Sequence, residues 1–371
     1  MSTILHPRKT KALIGHNEQI KTFIDTFENN KLHHSWLLEG PAGLGKATFA
    51  YCMSKSILSI KKNKNETFLL DDNDNNDELN LKYEEKNLVH NRVKENTHVD
   101  LKVIERDNAE IKPYSTEIIP VNKVRELQYF FSKTAGEGGK RIAIIDCLDN
   151  LNLYGCNALL KILEEPPNNC LIFLISNNKS NVLDTIRSRC RVLKFKNLST
   201  KDSNKIIENN IGKNIDKDML NKLNILSNGT PGKGILFYEN NGIEIYDYLI
   251  EIFKSLPEIN IEHSNKLYTL ITSQNNIFEL NTLKELITIF YSRTYRKYLN
   301  LLKLSISEEE NIAQNNLLKN FNIVDISSLW ENIYNELNQA SELNLEKKQV
   351  VVNMIEKLRN FKPYNINYKK I

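Results

Sequence analysis

Residues 40–46, Gly40-Pro41-Ala42-Gly43-Leu44-Gly45-Lys46, have the G-x4-G-K spacing of a phosphate-binding loop. In such a loop glycine lets backbone N–H groups turn toward a polyphosphate, and a lysine and the N-terminus of the next helix add positive potential. The full pattern continues with Ser or Thr, whose hydroxyl joins a magnesium ion. Here Ala47 follows, and Thr48 lies one position on, about 100° around a helix. Two readings of the loop stay open: a nucleotide cradle, or a glycine turn that holds no nucleotide. Asp146 ends the apolar run Ile142-Ala143-Ile144-Ile145, and the carboxyl end of a strand is where open α/β sheets place ligands. Its neighbour Cys147 carries a thiol that is mostly neutral at pH 7 and cannot replace a carboxylate base. Asp149 reads either as a nearby carboxylate of unknown reach or as a helix cap. His33-His34 could suggest a metal, but no third ligand lies nearby in the sequence. The five cysteines show neither CxxC nor zinc spacing, so they are read as reduced, buried small hydrophobes and no metal site is expected.

These groups need a scaffold that brings distant positions together. Continuous apolar runs at 142–145 and 170–175 predict strands covered on both faces, as in a parallel sheet, with further strands at 36–39, where Trp36-Leu37-Leu38 is apolar, at 97–105 and at 192–195. Helices are predicted around Ile20, Phe23, Ile24 and Phe27, after Lys46 to about Ile60, and over 121–131. Another carries Ala158, Leu159, Ile162 and Leu163 and is stopped by Pro166-Pro167, which cannot continue a helix. Residues 61–96 turn polar, and low hydrophobicity cannot offset the entropy of ordering, so a mobile insertion at 62–96 is expected. A chain of 371 residues implies more than one domain. A formal charge of +4 permits nucleic acid nearby without requiring it. No apolar run approaches the ~18 residues of a membrane span, and the first residues lack an apolar signal core, so a cytoplasmic protein with no membrane partner is expected.

Two phrases carry a resemblance. Asn157-Ala158-Leu159-Leu160-Lys161-Ile162-Leu163-Glu164-Glu165-Pro166-Pro167, followed by Ser188-Arg189-Cys190, closely resembles the clamp-loader branch of the AAA+ ATPases, and within it the delta-prime family of bacterial DNA polymerase III. Ser132 to Asp146, the 227–234 stretch and Leu345 to Val351 resemble the same family. The resemblance implies an α/β, RecA-like AAA+ domain with a parallel sheet at 1–197, a small helical lid at 198–241 and an all-α collar at 242–371. It implies ATP or ADP as the ligand of a degenerate loop at Gly40, Gly43, Gly45, Lys46 and Ala47, with Asp146 as the Walker B aspartate and Asn177 as sensor 1. Asn177 also reads as a strand-end cap. Active members carry glutamate after the aspartate, and this chain has Cys147. Many members carry a four-cysteine zinc module in the 61–96 interval, whereas this chain has no cysteine there. Gly232, with Lys233 beside it, aligns where active members place a sensor 2 arginine. Arg189 is implied as an arginine finger acting in trans, and its plain alternative is an ion pair with a local carboxylate such as Asp184. The implied partners are gamma/tau-type ATPase subunits, a delta subunit, the sliding clamp and primed DNA, in a complex that loads the clamp. Hydrolysis by this chain itself is not expected. The rival readings are an active gamma/tau-type ATPase and, further off, a P-loop kinase; a nucleotide-independent DNA-binding protein fits least.

Overall fold

The computed structural model describes residues 6–60, 87–106, 118–136, 139–212, 215–256, 258–272, 278–301, 307–343 and 345–361. The chain forms two compact units: Met1–Lys213 with Gly229–Lys233, and Asn214–Asn228 with Gly234–Ile371.

The first unit is built on five parallel strands: β1 (Ser35–Glu39), β2 (Leu101–Ile104), β3 (Arg141–Ile145), β4 (Cys170–Ser176) and β5 (Arg191–Lys194). Their order across the sheet is β2-β3-β4-β1-β5. Every residue of β1, β3 and β4 is buried, as continuous apolar runs require when helices cover both faces. Alternate side chains then feed two separate cores. Trp36, Leu38, Ile142, Ile144, Leu171 and Phe173 enter one, and Leu37, Ala143, Ile145, Ile172 and Leu174 the other. In the first core Phe23 meets Trp36 with ring centroids 4.9 Å apart, and Phe49 meets Phe195 at 5.4 Å.

The helices of this unit are α1 (Asn17–Glu28), α2 (Lys46–Ser59), α3 (Leu88–Lys94), α4 (Val121–Ser132), α5 (Leu153–Glu164), α6 (Asp184–Arg187) and α7 (Thr200–Ile211). Two expectations shift. The strand foreseen at 97–105 is only four residues long, because the Asp100 N–H goes to His98 Nδ1 at 3.2 Å and the Leu101 N–H to the His98 carbonyl at 3.2 Å, closing a turn where pairing would otherwise begin. The polar interval 62–96 ends in helix α3 rather than in mobile chain. Asn87 caps it by accepting the Val89 N–H, and Val93 is fully buried. Residues 61–86 lie outside the described residues.

The second unit contains α8 (Lys217–Ser227), α10 (Gly242–Ser255), α11 (Ile261–Thr272), α12 (Phe278–Tyr298), α13 (Glu308–Asn320), α14 (Ile323–Leu343) and α15 (Lys347–Arg359), and α9 (Pro231–Glu239) runs into it from the first. Apolar side chains recur at helical spacing and are buried along α12 (Leu283, Leu286, Ile287, Phe290) and α15 (Val350, Val351, Met354, Leu358). Phe253 of α10 stacks on Phe290 of α12 at 4.5 Å. Glu310, fully buried, takes Arg293 Nε at 2.6 Å, the Tyr246 hydroxyl at 3.0 Å and Gln314 Nε2 at 3.1 Å. A buried carboxylate is tolerated because those donors replace water. Trp330 of α14 lies flat against Tyr291 of α12 at 4.7 Å.

Candidate functional site

Parallel neighbours in one register end at one edge. β3, β4 and β1 are adjacent, so Asp146, Asn177 and Gly40, each next after its strand, are brought to the carboxyl edge of the sheet.

The loop 40–46 turns through three positive-φ glycines, Gly40 at 154°, Gly43 at 83° and Gly45 at 90°. The Lys46 side chain, 3% exposed, folds back on the loop and donates to the carbonyls of Gly40 and Pro41 at 2.6 Å each. Burial pushes its ammonium down to about 8, against the pull of Asp146. Ala47 packs against the core that contains Phe49 and brings no hydroxyl. His16 Nε2 lies 2.7 Å from the Leu44 carbonyl, and burial pushes this imidazole below its ordinary pKa. The loop also meets Gly232, whose N–H donates to the Gly43 carbonyl at 2.9 Å. A Cβ on Gly232 would stand 2.7 Å from Gly43 Cα, so only glycine allows this approach. The position aligned with a sensor 2 arginine thus places bare backbone against the loop.

At the end of β3, burial and the charge of Glu105 push the Asp146 carboxyl above the usual range. Cys147 takes a left-handed backbone (φ 69°), and burial, then the Asp146 charge, push its thiol to about 11. Asn177 Nδ2 donates to Cys147 Sγ at 3.1 Å. The pair foreseen as sensor 1 and missing base is in direct contact. Asp149 is committed elsewhere: it takes the Asn177 N–H at 2.6 Å, the Ser176 hydroxyl at 2.9 Å and the Asn178 N–H at 3.4 Å. It caps the chain leaving β4 rather than a helix.

Arg189 lies apart from this cluster, in the turn between α6 and β5. Its side chain is 35% exposed, pairs with Glu164 at 2.7 Å and donates to the Thr185 carbonyl at 2.8 Å. The partner is Glu164, at the end of α5, rather than Asp184. Arg187 forms a fork with Glu39, Nη2 to Oε2 at 3.0 Å, and Arg191 lies over the Trp36 ring at 5.0 Å. Sequence reasoning passed over Glu39 and Glu164. The first had a signal, a lone carboxylate ending the apolar strand Trp36-Leu37-Leu38, which must find a cation if buried.

His34 Nε2 contacts the Leu163 carbonyl at 3.3 Å, and His33 Nδ1 the Ser35 carbonyl at 2.9 Å. The five cysteines are free thiols, four of them buried. Among the described residues no group of three His, Cys, Asp or Glu side chains could hold a metal ion, and no helix is long and apolar enough to cross a membrane.

The family model for DNA polymerase III, delta subunit, matches residues 15–199, a span that includes every site residue from Gly40 to Arg189. The chain belongs to the DNA polymerase III clamp-loader family. The matched span covers the parallel α/β sheet of the first unit. Among curated relatives, DNA polymerase III subunit delta' of Bacillus subtilis is 28% identical over 55% of this chain and 55% of its own length. Subunit delta' of Buchnera aphidicola subsp. Schizaphis graminum is 25% identical over 88% and 91%. Subunit gamma of the latter organism is 27% identical over 60% and 56%. The match spans about half the length of the Bacillus delta' and Buchnera gamma proteins. A solved gamma subunit-related protein of Thermotoga maritima covers 91% of this chain and 98% of its own, at 14% identity and a TM-score of 0.42.

Proposed function

We propose that this chain is a delta-prime-type subunit of a clamp loader, organised as a RecA-like domain, a helical lid and a helical collar. It assembles with gamma/tau-type ATPase subunits and a delta subunit, hydrolyses no ATP itself, and presents Arg189 to the ATP site of a neighbour while a sliding clamp is loaded on primed DNA. The observation that carries this reading is the Asn177–Cys147 contact of 3.1 Å. A neutral thiol occupies the place where metal-assisted hydrolysis needs a carboxylate base, and the sensor amide is spent on it. Ala47 adds a second deficit. The glycine loop has the spacing that cradles the phosphates of ATP or ADP, but Lys46 is turned onto the carbonyls of Gly40 and Pro41 and the residues do not fit a hydrolytic magnesium shell, so no chemical step is assigned to this chain's own loop.

Arg189 offers what the rest lacks. Its guanidinium is partly exposed, and its contacts with Glu164 and Thr185 are surface contacts that a more highly charged phosphate can displace. A finger of this kind contributes about 10³ to 10⁵ in rate by stabilising charge on the transferred phosphoryl group. The test is ATP turnover in a reconstituted loader stimulated by clamp and DNA, with assembly verified. Arg189→Ala is expected to cut turnover at one neighbouring site by about 10³, with none by this chain alone. Unchanged turnover would leave the subunit architectural. Relatives named gamma and tau keep a second reading in view, an active ATPase, and turnover by the isolated chain would establish it.

A further inference from the structure

Three arginines stand at alternate positions, Arg187, Arg189 and Arg191, and strand β1 reaches all of them. The Ser35 hydroxyl, at its start, donates to the Arg189 carbonyl at 2.8 Å. The Trp36 ring lies beneath the Arg191 guanidinium. At its far end Glu39, 6% exposed, receives both terminal nitrogens of Arg187. A carboxylate so buried is costly unless paired and hydrogen-bonded, and the planar guanidinium fork matches it as an ammonium cannot. The next residue, Gly40, opens the glycine loop. The start of β1 therefore holds the backbone of the turn that carries Arg189, and its far end, where the glycine loop begins, holds the side chain of Arg187.

We infer that Glu39 and Arg187 are positioning residues, which fix the 187–190 turn on β1 and thereby set where Arg189 meets the neighbouring subunit's nucleotide. The inference rests on the finger reading of Arg189. A finger must reach its phosphate within a fraction of an ångström, and displacement by about 1 Å can cost ~10²-fold in rate. Arg187→Lys breaks the fork with both charges kept, so that only placement changes, whereas Glu39→Gln also removes one negative charge beside the loop.

The test uses the reconstituted loader with Glu39→Gln, with Arg187→Lys, which keeps the cation beside Glu39 and guards against loss of folding, and with each combined with Arg189→Ala. Each single variant is expected to lower stimulated turnover by roughly 10-fold with KM for ATP and assembly unchanged, and neither is expected to lower it further once Arg189 is gone. A purely structural pair would instead weaken assembly or thermal stability equally in both backgrounds, which would overturn the inference. So would full turnover in both variants while Arg189→Ala is slow. If Arg189→Ala itself has no effect, the finger reading falls and takes this inference with it.

Discussion

Cys147 carries no charge at neutral pH, because a thiol held near 11 stays protonated until strongly alkaline solution. Replacing it with Ala should therefore leave ATP turnover of the assembled loader unchanged, and a fall would reveal a role that a neutral thiol does not supply. Lys46 gives a pH signature. Its ammonium is pushed to about 8 from 10.5, so between those values the unfolded chain binds the extra proton. Stability then rises with pH across that window through this residue, and below it the buried charge is a standing cost. Lys46→Met should remove this rise, on the order of 1–3 kcal/mol, read as the difference between wild-type and variant denaturation midpoints from neutral pH to above pH 10. Parallel curves would mean that the ammonium is well solvated in the folded protein.

At the scale of elements, the contact between the glycine loop and the start of α9 is tight enough to be tested by a single methyl-bearing substitution. Gly232→Val places Cβ 2.7 Å from Gly43 Cα, and the backbone must move. A cost of about 1–3 kcal/mol is expected, measured by thermal unfolding; a neutral result would show that the segment swings away freely. The strands that matter here were legible in the sequence. Runs such as Ile142–Ile145 and Cys170–Ile175 allow no other comfortable place than the middle of a covered sheet, and parallel pairing then carries Gly40, Asp146 and Asn177 to one edge. What could not be read was partnership. Asp184 is five positions from Arg189 and Glu164 is twenty-five, yet the end of α5 puts Glu164 beside the guanidinium while Asp184 opens α6. Asp149 looked like a helix cap and became the anchor of the chain after β4, because three donors from residues 176–178 converge on it. Such contacts depend on how elements pack, and periodicity does not encode that. Helix α3 escaped notice because a single buried valine and a cap outweigh the polar company around them.

Across the whole molecule, each unit buries an ion pair: Arg141 lies 3.3 Å from the fully buried Asp100 in the first, and Arg293 lies 2.6 Å from the fully buried Glu310 in the second. Glu310→Ala would break the ion pair with Arg293 inside an apolar surround, costing about 3–5 kcal/mol, whereas the joint replacement Glu310→Leu with Arg293→Met should cost far less. Chemical denaturation of the three proteins decides between them, and equal losses would mean that the pair itself, rather than charge left alone, supports the helices. Unit-level stability of this kind can be followed without labels. The chain has two tryptophans, Trp36 inside the sheet of the first unit and Trp330 stacked on Tyr291 in the second. With Trp36 replaced by Phe, the indole emission of the protein becomes a private optical reporter of the second unit, and with Trp330 replaced it reports on the first alone.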